Sequence, residues 1–240
     1  MLFPIRDRNP SNKTPWVVFG LIAANALVFL LETSMARATL QEWMMRYGFV
    51  AANATEALRS GTNVVGSILV PLFTSMFIHG GWLHLIFNLW FLYILGDNVE
   101  ARLGHVGFLP FYFVCGLLAT LVHYALAPNA PMPTIGASGA IAGVLGAYIV
   151  CWPRARVLVL VPIFYFLHFM ELPALAVLGM WFVLQLFGGL ASLGVSYAHG
   201  GVAYGAHIGG FLAGMLLVKL WPAKEDSRPS SSESRGRRRP

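Results

Sequence analysis

Ile135-Gly136-Ala137-Ser138-Gly139-Ala140-Ile141-Ala142-Gly143 sets a single serine among glycines and alanines, at the start of an apolar run that continues to Trp152. That run is long and apolar enough to cross a bilayer, which takes ~17–25 residues of helix. A second run, Val202–Trp221, carries Ala206-His207-Ile208-Gly209-Gly210. One serine and one histidine, each on a helix whose small residues allow close packing, are the pattern of a nucleophile and its base.

The rest of the composition agrees with a membrane setting. Of 240 residues, 57% are hydrophobic and 11% charged, against about a quarter charged in soluble domains. The net charge of +6 does not indicate nucleic acid. Much of it sits in a Ser- and Pro-rich tail with Arg228, Arg235, Arg237, Arg238 and Arg239, a composition expected to be disordered and at most drawn to anionic headgroups. Cys115 and Cys151 lie in apolar runs and read as small buried hydrophobes.

Hydropathy marks six spans: Trp16–Leu31, Trp82–Leu95, Phe108–Leu126, Ile135–Trp152, Leu172–Leu193 and Val202–Trp221. The run Val157–Phe169 is short and holds Pro162, so it reads as interfacial or re-entrant rather than spanning. The expected organisation is an N-terminal segment 1–15, one transmembrane domain 16–221 with an interfacial loop 32–66, and a basic tail 222–240. Arg6, Arg8, Lys13, Arg102, Arg154, Arg156, Lys219 and Lys224 fall on one side of these spans. The segments 127–134 and 194–201 contain no lysine or arginine. The positive-inside rule then places both termini in the cytoplasm and those two segments outside, with the bacterial cytoplasmic (inner) membrane as the expected location. Ala36-Arg37-Ala38 after the first span mimics a signal-peptide site, but Glu32 and Arg37 make a poor cleavage context. In the long loop, Leu40, Trp43, Met44 and Tyr47 share one helical face, which predicts an amphipathic helix at the interface or a loop helix packed on the bundle.

Ser138 lies just after segment 127–134, and His207 is seven residues past Gly200, roughly 10 Å along its helix at ~1.5 Å per residue. The two meet at similar depth if their helices are neighbours. Gly139 and Gly143 on one side, and Ala206, Gly210 and Gly214 on the other, suit that contact. Packing glycines alone explain Gly139 and Gly143, but an ionisable group inside a span is costly and by default functional. His84 and Asn88, four residues apart, share one face of the second span. Their N–H groups, with the backbone N–H groups at the start of the Ser138 helix, are suited to stabilising an oxyanion. The spacing of His79 and His84 fits no zinc pattern, and no metal or other cofactor is expected. Asp97 is the only aspartate close to a span, which removes an aspartyl mechanism; no Asp or Glu is expected at the depth of Ser138 and His207, which leaves a Ser-His dyad rather than a triad.

Taken together, His79-xxxx-His84-xxx-Asn88, Gly136-Ala137-Ser138-Gly139, Ala206-His207-xx-Gly210-xxx-Gly214 and Glu100-Ala-Arg102-Leu-Gly104 resemble the rhomboid family of intramembrane serine proteases, over roughly Trp16 to Trp221. The resemblance implies an all-α polytopic membrane protein, a six-transmembrane-helix rhomboid-like bundle. It implies Ser138 as nucleophile, His207 as general base, and His84 and Asn88 at the oxyanion. His79, Gly136, Gly139 and Gly210 would support these motifs. Some members carry an aromatic one turn after the serine, stacked on the catalytic histidine. This chain has Ala142 there, so the sequence leaves open what orients His207.

The expected activity is endopeptidase cleavage of transmembrane segments of other membrane proteins near the outer face. The partners are such substrates, with helix-weakening Gly or Pro near the cut, and the lipid bilayer; no nucleic acid is expected. Span five, with Trp181, Phe182 and Phe187, reads as a side gate and 194–201 as a cap. Two rival readings are a non-catalytic rhomboid-like binder of membrane clients and a small transporter. The first sits poorly with both Ser138 and His207 being present. The second sits poorly with the lack of an internal repeat.

Overall fold

Apolar runs without internal Gly-Pro breaks form helices because, in lipid, every backbone polar group must be satisfied within the segment. The computed structural model describes residues 3–9, 11–163, 166–192 and 203–221. Its long helices are α1 (Trp16–Thr33), α5 (Trp82–Leu103), α6 (His105–Leu126), α7 (Ser138–Cys151), α8 (Ala174–Ser192) and α9 (Tyr204–Leu220). The segment 32–66 and its continuation fold into α2 (Arg37–Tyr47), α3 (Ala51–Ser60) and α4 (Val70–Thr74), with a π-helical turn at Val65–Leu69 and a 3-10 turn at Ser75–Phe77. The expected outer cap segment 194–201 and tail 222–240 lie outside the described residues.

The chain is a polytopic helical membrane protein, but the six expected spans are not equal. Among the described residues, α1, α6 and α8 are long and apolar enough to cross a bilayer alone. A fourth crossing is obtained if the segment Val65–Phe77 and α5, which meet at 80°, count as one bent unit. Asp97, Glu100 and Arg102 in the last turns of α5, and the 14 residues of α7 and 17 of α9, explain why the others fall short.

The short helices are the innermost. Eleven consecutive residues of α7, Gly139–Ile149, are buried, and α7 packs most extensively against α9 and then α6. The two helices run parallel and in register. A methyl group added at Gly210 would land on the Gly139 carbonyl, and one at Gly214 on the Gly143 carbonyl. The four-residue step is thus matched on both sides, and backbone meets backbone without intervening side chains.

Sequence spacing did not anticipate strands. A three-stranded antiparallel sheet in the order β1-β4-β5 joins β1 (Phe3–Asp7), β4 (Arg156–Ile163) and β5 (Phe166–Pro173). The run 157–169, expected to be interfacial or re-entrant rather than spanning, falls in the paired strands β4 and β5, in keeping with the β-branched residues Val157, Val159 and Val161. A second, minimal pair joins β2 (Phe49–Val50) to β3 (Pro133–Thr134).

At the sheet end of the bundle several buried polar groups are paired. Both carboxylate oxygens of Glu100, on α5, accept the N–H groups of Val17 and Val18 (3.0 and 2.8 Å), capping the N-terminus of α1. His105 also pairs with Glu100. Asp7 accepts from the Tyr148 hydroxyl and the Asn98 amide, each at 2.7 Å, and from the Asn9 N–H at 2.9 Å. The Trp90 indole N–H reaches the Pro4 carbonyl at 2.8 Å.

Two outcomes follow from this packing. Gly214→Ala places a methyl against the Gly143 backbone, and thermal unfolding in detergent is expected to show about 1–3 kcal/mol of lost stability. The Asp7 carboxyl is pushed up to about 6 by burial, against the opposing Tyr148 hydrogen bond. The folded chain then holds a proton between pH ~4 and ~6 that the unfolded chain releases, so this contribution grows as pH falls. Melting measured from pH 7 to pH 5 is expected to show a stability gain in the wild type that Asp7→Asn lacks.

Candidate functional site

Three of the helices, α5, α7 and α9, begin at the same end of the bundle, and their first turns surround one cavity of about 660 Å3. Ser138, His207, His84 and Asn88 all line it, with Met44, Phe87, Phe91, Met132 and Trp181 among the apolar residues. Ser138 is the first residue of α7. It is held there by the turn before it: the Gly136 N–H donates to the Ser75 carbonyl at 2.8 Å, while β3 pairs with β2. Gly136 has φ +111, a region that side chains rarely adopt. A Cβ at Gly136 would also meet the His84 ring, at 2.6 Å from Nε2.

His207, in the first turns of α9, places Nε2 2.8 Å from the Ser138 hydroxyl. Its other ring nitrogen, Nδ1, lies 2.8 Å from Oε1 of Gln185 on α8. The Trp181 ring, one turn before Gln185, stands 5.8 Å from the His207 ring at an interplanar angle of 37°.

His84 accepts the Gly80 N–H on Nδ1 at 3.3 Å. That leaves its proton on Nε2, the nitrogen beside Gly136, where it can serve as a donor. The Asn88 amide donates to the His84 carbonyl at 2.9 Å and also faces Gly136. At α7's first turn the backbone N–H groups have no partner within the helix, so donors converge from α5 and α7 on the space next to the Ser138 hydroxyl.

His79 is buried and does not reach the serine. Its ring stands edge-on to His84 at 5.1 Å, and its Nδ1 donates to the Phe77 carbonyl at 3.2 Å. Gly139 and Gly210 form the backbone contact between α7 and α9. The structure thus brings Ser138, His207, His84, Asn88 and Gly136 together, with His79, Gly139 and Gly210 one layer behind.

Two residues were missed by sequence reasoning, and a third was given a different role. Glu32, assigned to the loop, is 2% exposed in the last turns of α1, and its carboxylate accepts the His79 N–H at 3.2 Å. A carboxylate therefore does lie near the histidine motif, although its partner is the His79 backbone. Gln185 and Trp181 touch His207 from α8. A lone amide in an apolar span was the available signal for Gln185; Trp181 was read as part of a side gate, and its contact with the His207 ring was not foreseen. Among the described residues no group of His, Cys, Asp and Glu is arranged to hold a metal ion.

Residues 66–222 match the Rhomboid domain family. The mouse presenilin-associated rhomboid-like protein, mitochondrial, is 33% identical over 152 residues, covering 62% of this chain and 37% of the relative. Rhomboid-like protein 11, chloroplastic, of Arabidopsis thaliana is 32% identical over 61% of the chain and 50% of the relative. Rhomboid protein 1, mitochondrial, of Saccharomyces cerevisiae is 27% identical over 83% of the chain and 51% of the relative. The chain spans about a third to a half of the length of these curated relatives. Their names are mitochondrial and chloroplastic, which overturns the expectation of a bacterial cytoplasmic membrane; loop charge reports orientation and cannot identify a membrane. With the family domain covering most of its length, and the rhomboid motifs meeting around one cavity, the chain belongs to the rhomboid family.

Proposed function

We propose that the chain is an intramembrane serine endopeptidase, with 16–221 as the protease unit and α1 and α5–α9 as six crossings. The observation that carries this reading is the 2.8 Å pairing of the Ser138 hydroxyl with His207 Nε2 on the wall of a cavity that His84 and Asn88 also line. Ser138 attacks the scissile carbonyl as its hydroxyl proton passes to Nε2. The carbonyl oxygen becomes an oxyanion, received by His84 Nε2–H, the Asn88 amide and the N-terminal N–H groups of α7. Collapse breaks the C–N bond, and the proton on His207 goes to the departing amine. Water then attacks the acyl ester, gives its proton to His207, and Ser138 leaves with that proton while the new carboxyl end is released.

The substrate class follows from where this chemistry sits. The cavity is largely apolar and opens at the end of the bundle that bears segment 127–134, so it suits a membrane-embedded peptide near that face. A peptide bond within a regular helix has its carbonyl occupied and its backbone shielded. Transmembrane segments weakened by Gly or Pro, with a small residue before the cut, are therefore the substrates expected.

Labelling of the purified protein by a fluorophosphonate probe tests the assignment. Ser138→Ala should abolish labelling and His207→Ala should reduce it by about 10⁴-fold or more, each in a folded protein. Asn88→Ala should slow peptide cleavage by about 10²–10³-fold, the cost of one oxyanion donor. Labelling of Ser138→Ala equal to wild type, or none in the wild type, would sink the protease reading in favour of a membrane-protein binder or transporter.

A further inference from the structure

Ala142 is buried and lines the cavity, so the position one turn after the serine offers His207 no ring to rest against. The support comes from another helix. We propose that Gln185 and Trp181, both on α8, are the positioning residues of His207, with the Gln185 amide oxygen fixing the imidazole tautomer that base catalysis requires. This inference rests on the serine-protease reading.

An amide oxygen can only accept, so the contact at 2.8 Å requires the hydrogen of His207 to sit on Nδ1. Nε2 is then left with a lone pair directed at the Ser138 hydroxyl, also at 2.8 Å. The opposite tautomer would carry its proton on Nε2 and could not take one from serine. Gln185 thus performs for a neutral histidine what the carboxylate of a triad performs, holding the ring by its far nitrogen. It does so without a charge.

The apolar helix around Gln185 makes the arrangement specific. Gln185 is the only amide side chain in α8, within a run of Leu, Val, Phe and Gly, where an unpaired amide is costly. Its bond to His207 satisfies that group across the helix interface. Trp181 covers the imidazole from the same helix and is itself held in place by Phe211, at 6.0 Å, which stacks on Phe182 at 4.5 Å. The ring is therefore fixed at Nδ1 by Gln185, at Nε2 by Ser138 on α7, and against the Trp181 ring. The other titratable groups around it are His84 on α5 and His123 on α6; no carboxylate lines the cavity among the described residues.

A neutral partner makes a testable difference. Gln185→Glu puts a carboxylate on the Nδ1 hydrogen, which stabilises the imidazolium. The acid limb of the pH profile for fluorophosphonate labelling should then move to higher pH. Gln185→Met, close in volume and unable to accept the bond, should slow labelling by about 10- to 100-fold through loss of orientation. Trp181→Phe should label near the wild-type rate and Trp181→Leu more slowly. A bystander at position 185 would leave the acid limb unmoved in the Glu variant and the rate unchanged in the Met variant, and either result overturns the inference. Should the variants fail to fold, ¹⁵N NMR of His207 in the wild type decides the matter: a protonated Nδ1 with an unprotonated Nε2 is expected, and the reverse rules the proposal out. Failure of the protease reading is distinguishable, because it would appear as wild-type protein that does not label at all.

Discussion

The backbone contact between α7 and α9 is the constraint on which the site depends. Glycine at Gly139 and Gly143 faces glycine at Gly210 and Gly214, and the helix axes come close enough that carbonyls fill the space a side chain would need. Dispersion over such a seam depends steeply on separation, so the helices have one well-defined register. That register puts the first residue of α7 beside the first turn of α9. Ser138 and His207 are neighbours because two rows of glycines are neighbours, and the hydrogen bond between them needs no adaptation of the backbone.

Around this seam the buried polar groups divide between two ends of an apolar bundle. At one end Asp7, Asn98, Tyr148 and Glu100 bond to one another and to backbone N–H groups, tying the N-terminal strand and the start of α1 to α5 and α7. At the other, Ser138, His207, His84 and Asn88 face a cavity. Glu32 and His79 form a second layer behind the histidine motif, so the turn before α5 is braced from α1. The polar groups at the sheet end bond to one another, whereas those at the cavity end keep donors free to act on something else. That difference separates a structural network from a site.

Much of this was legible in the sequence, and the residues show where legibility stopped. Each long helix follows an uninterrupted apolar run, and the motif residues were found because ionisable and amide groups in such runs carry a cost. Helix α2 was visible through the stripe Leu40, Trp43, Met44, Tyr47, and Met44 does line the cavity. Helix α3 was not, since its buried face is made of Ala51, Ala54 and Ala57, which barely alter a hydropathy profile. The bent segment before α5 was hidden by Pro71 and the glycines that follow. The local pairing of β4 with β5 was overlooked in an apolar run, and its pairing with β1, about 150 residues earlier, left no local trace at all. Gln185 was overlooked for a related reason: its meaning lies in the Nδ1 atom of a histidine on the next helix.

The distance along the chain between Ser138 and His207 has a consequence of its own. Ser138 and His207 are separated by 69 residues, and α9 is the last helix described. Chains emerge from the ribosome and insert from the N-terminus onward, so α7 is made with its glycine seam uncovered and Ser138 without its hydrogen-bond partner. Until α9 enters the bundle, Ser138 has no imidazole beside it and the cavity lacks the wall that His207 supplies. On the serine-protease reading proposed above, a nascent chain is inert until α9 packs against α7, and the step that closes the glycine seam also supplies the base.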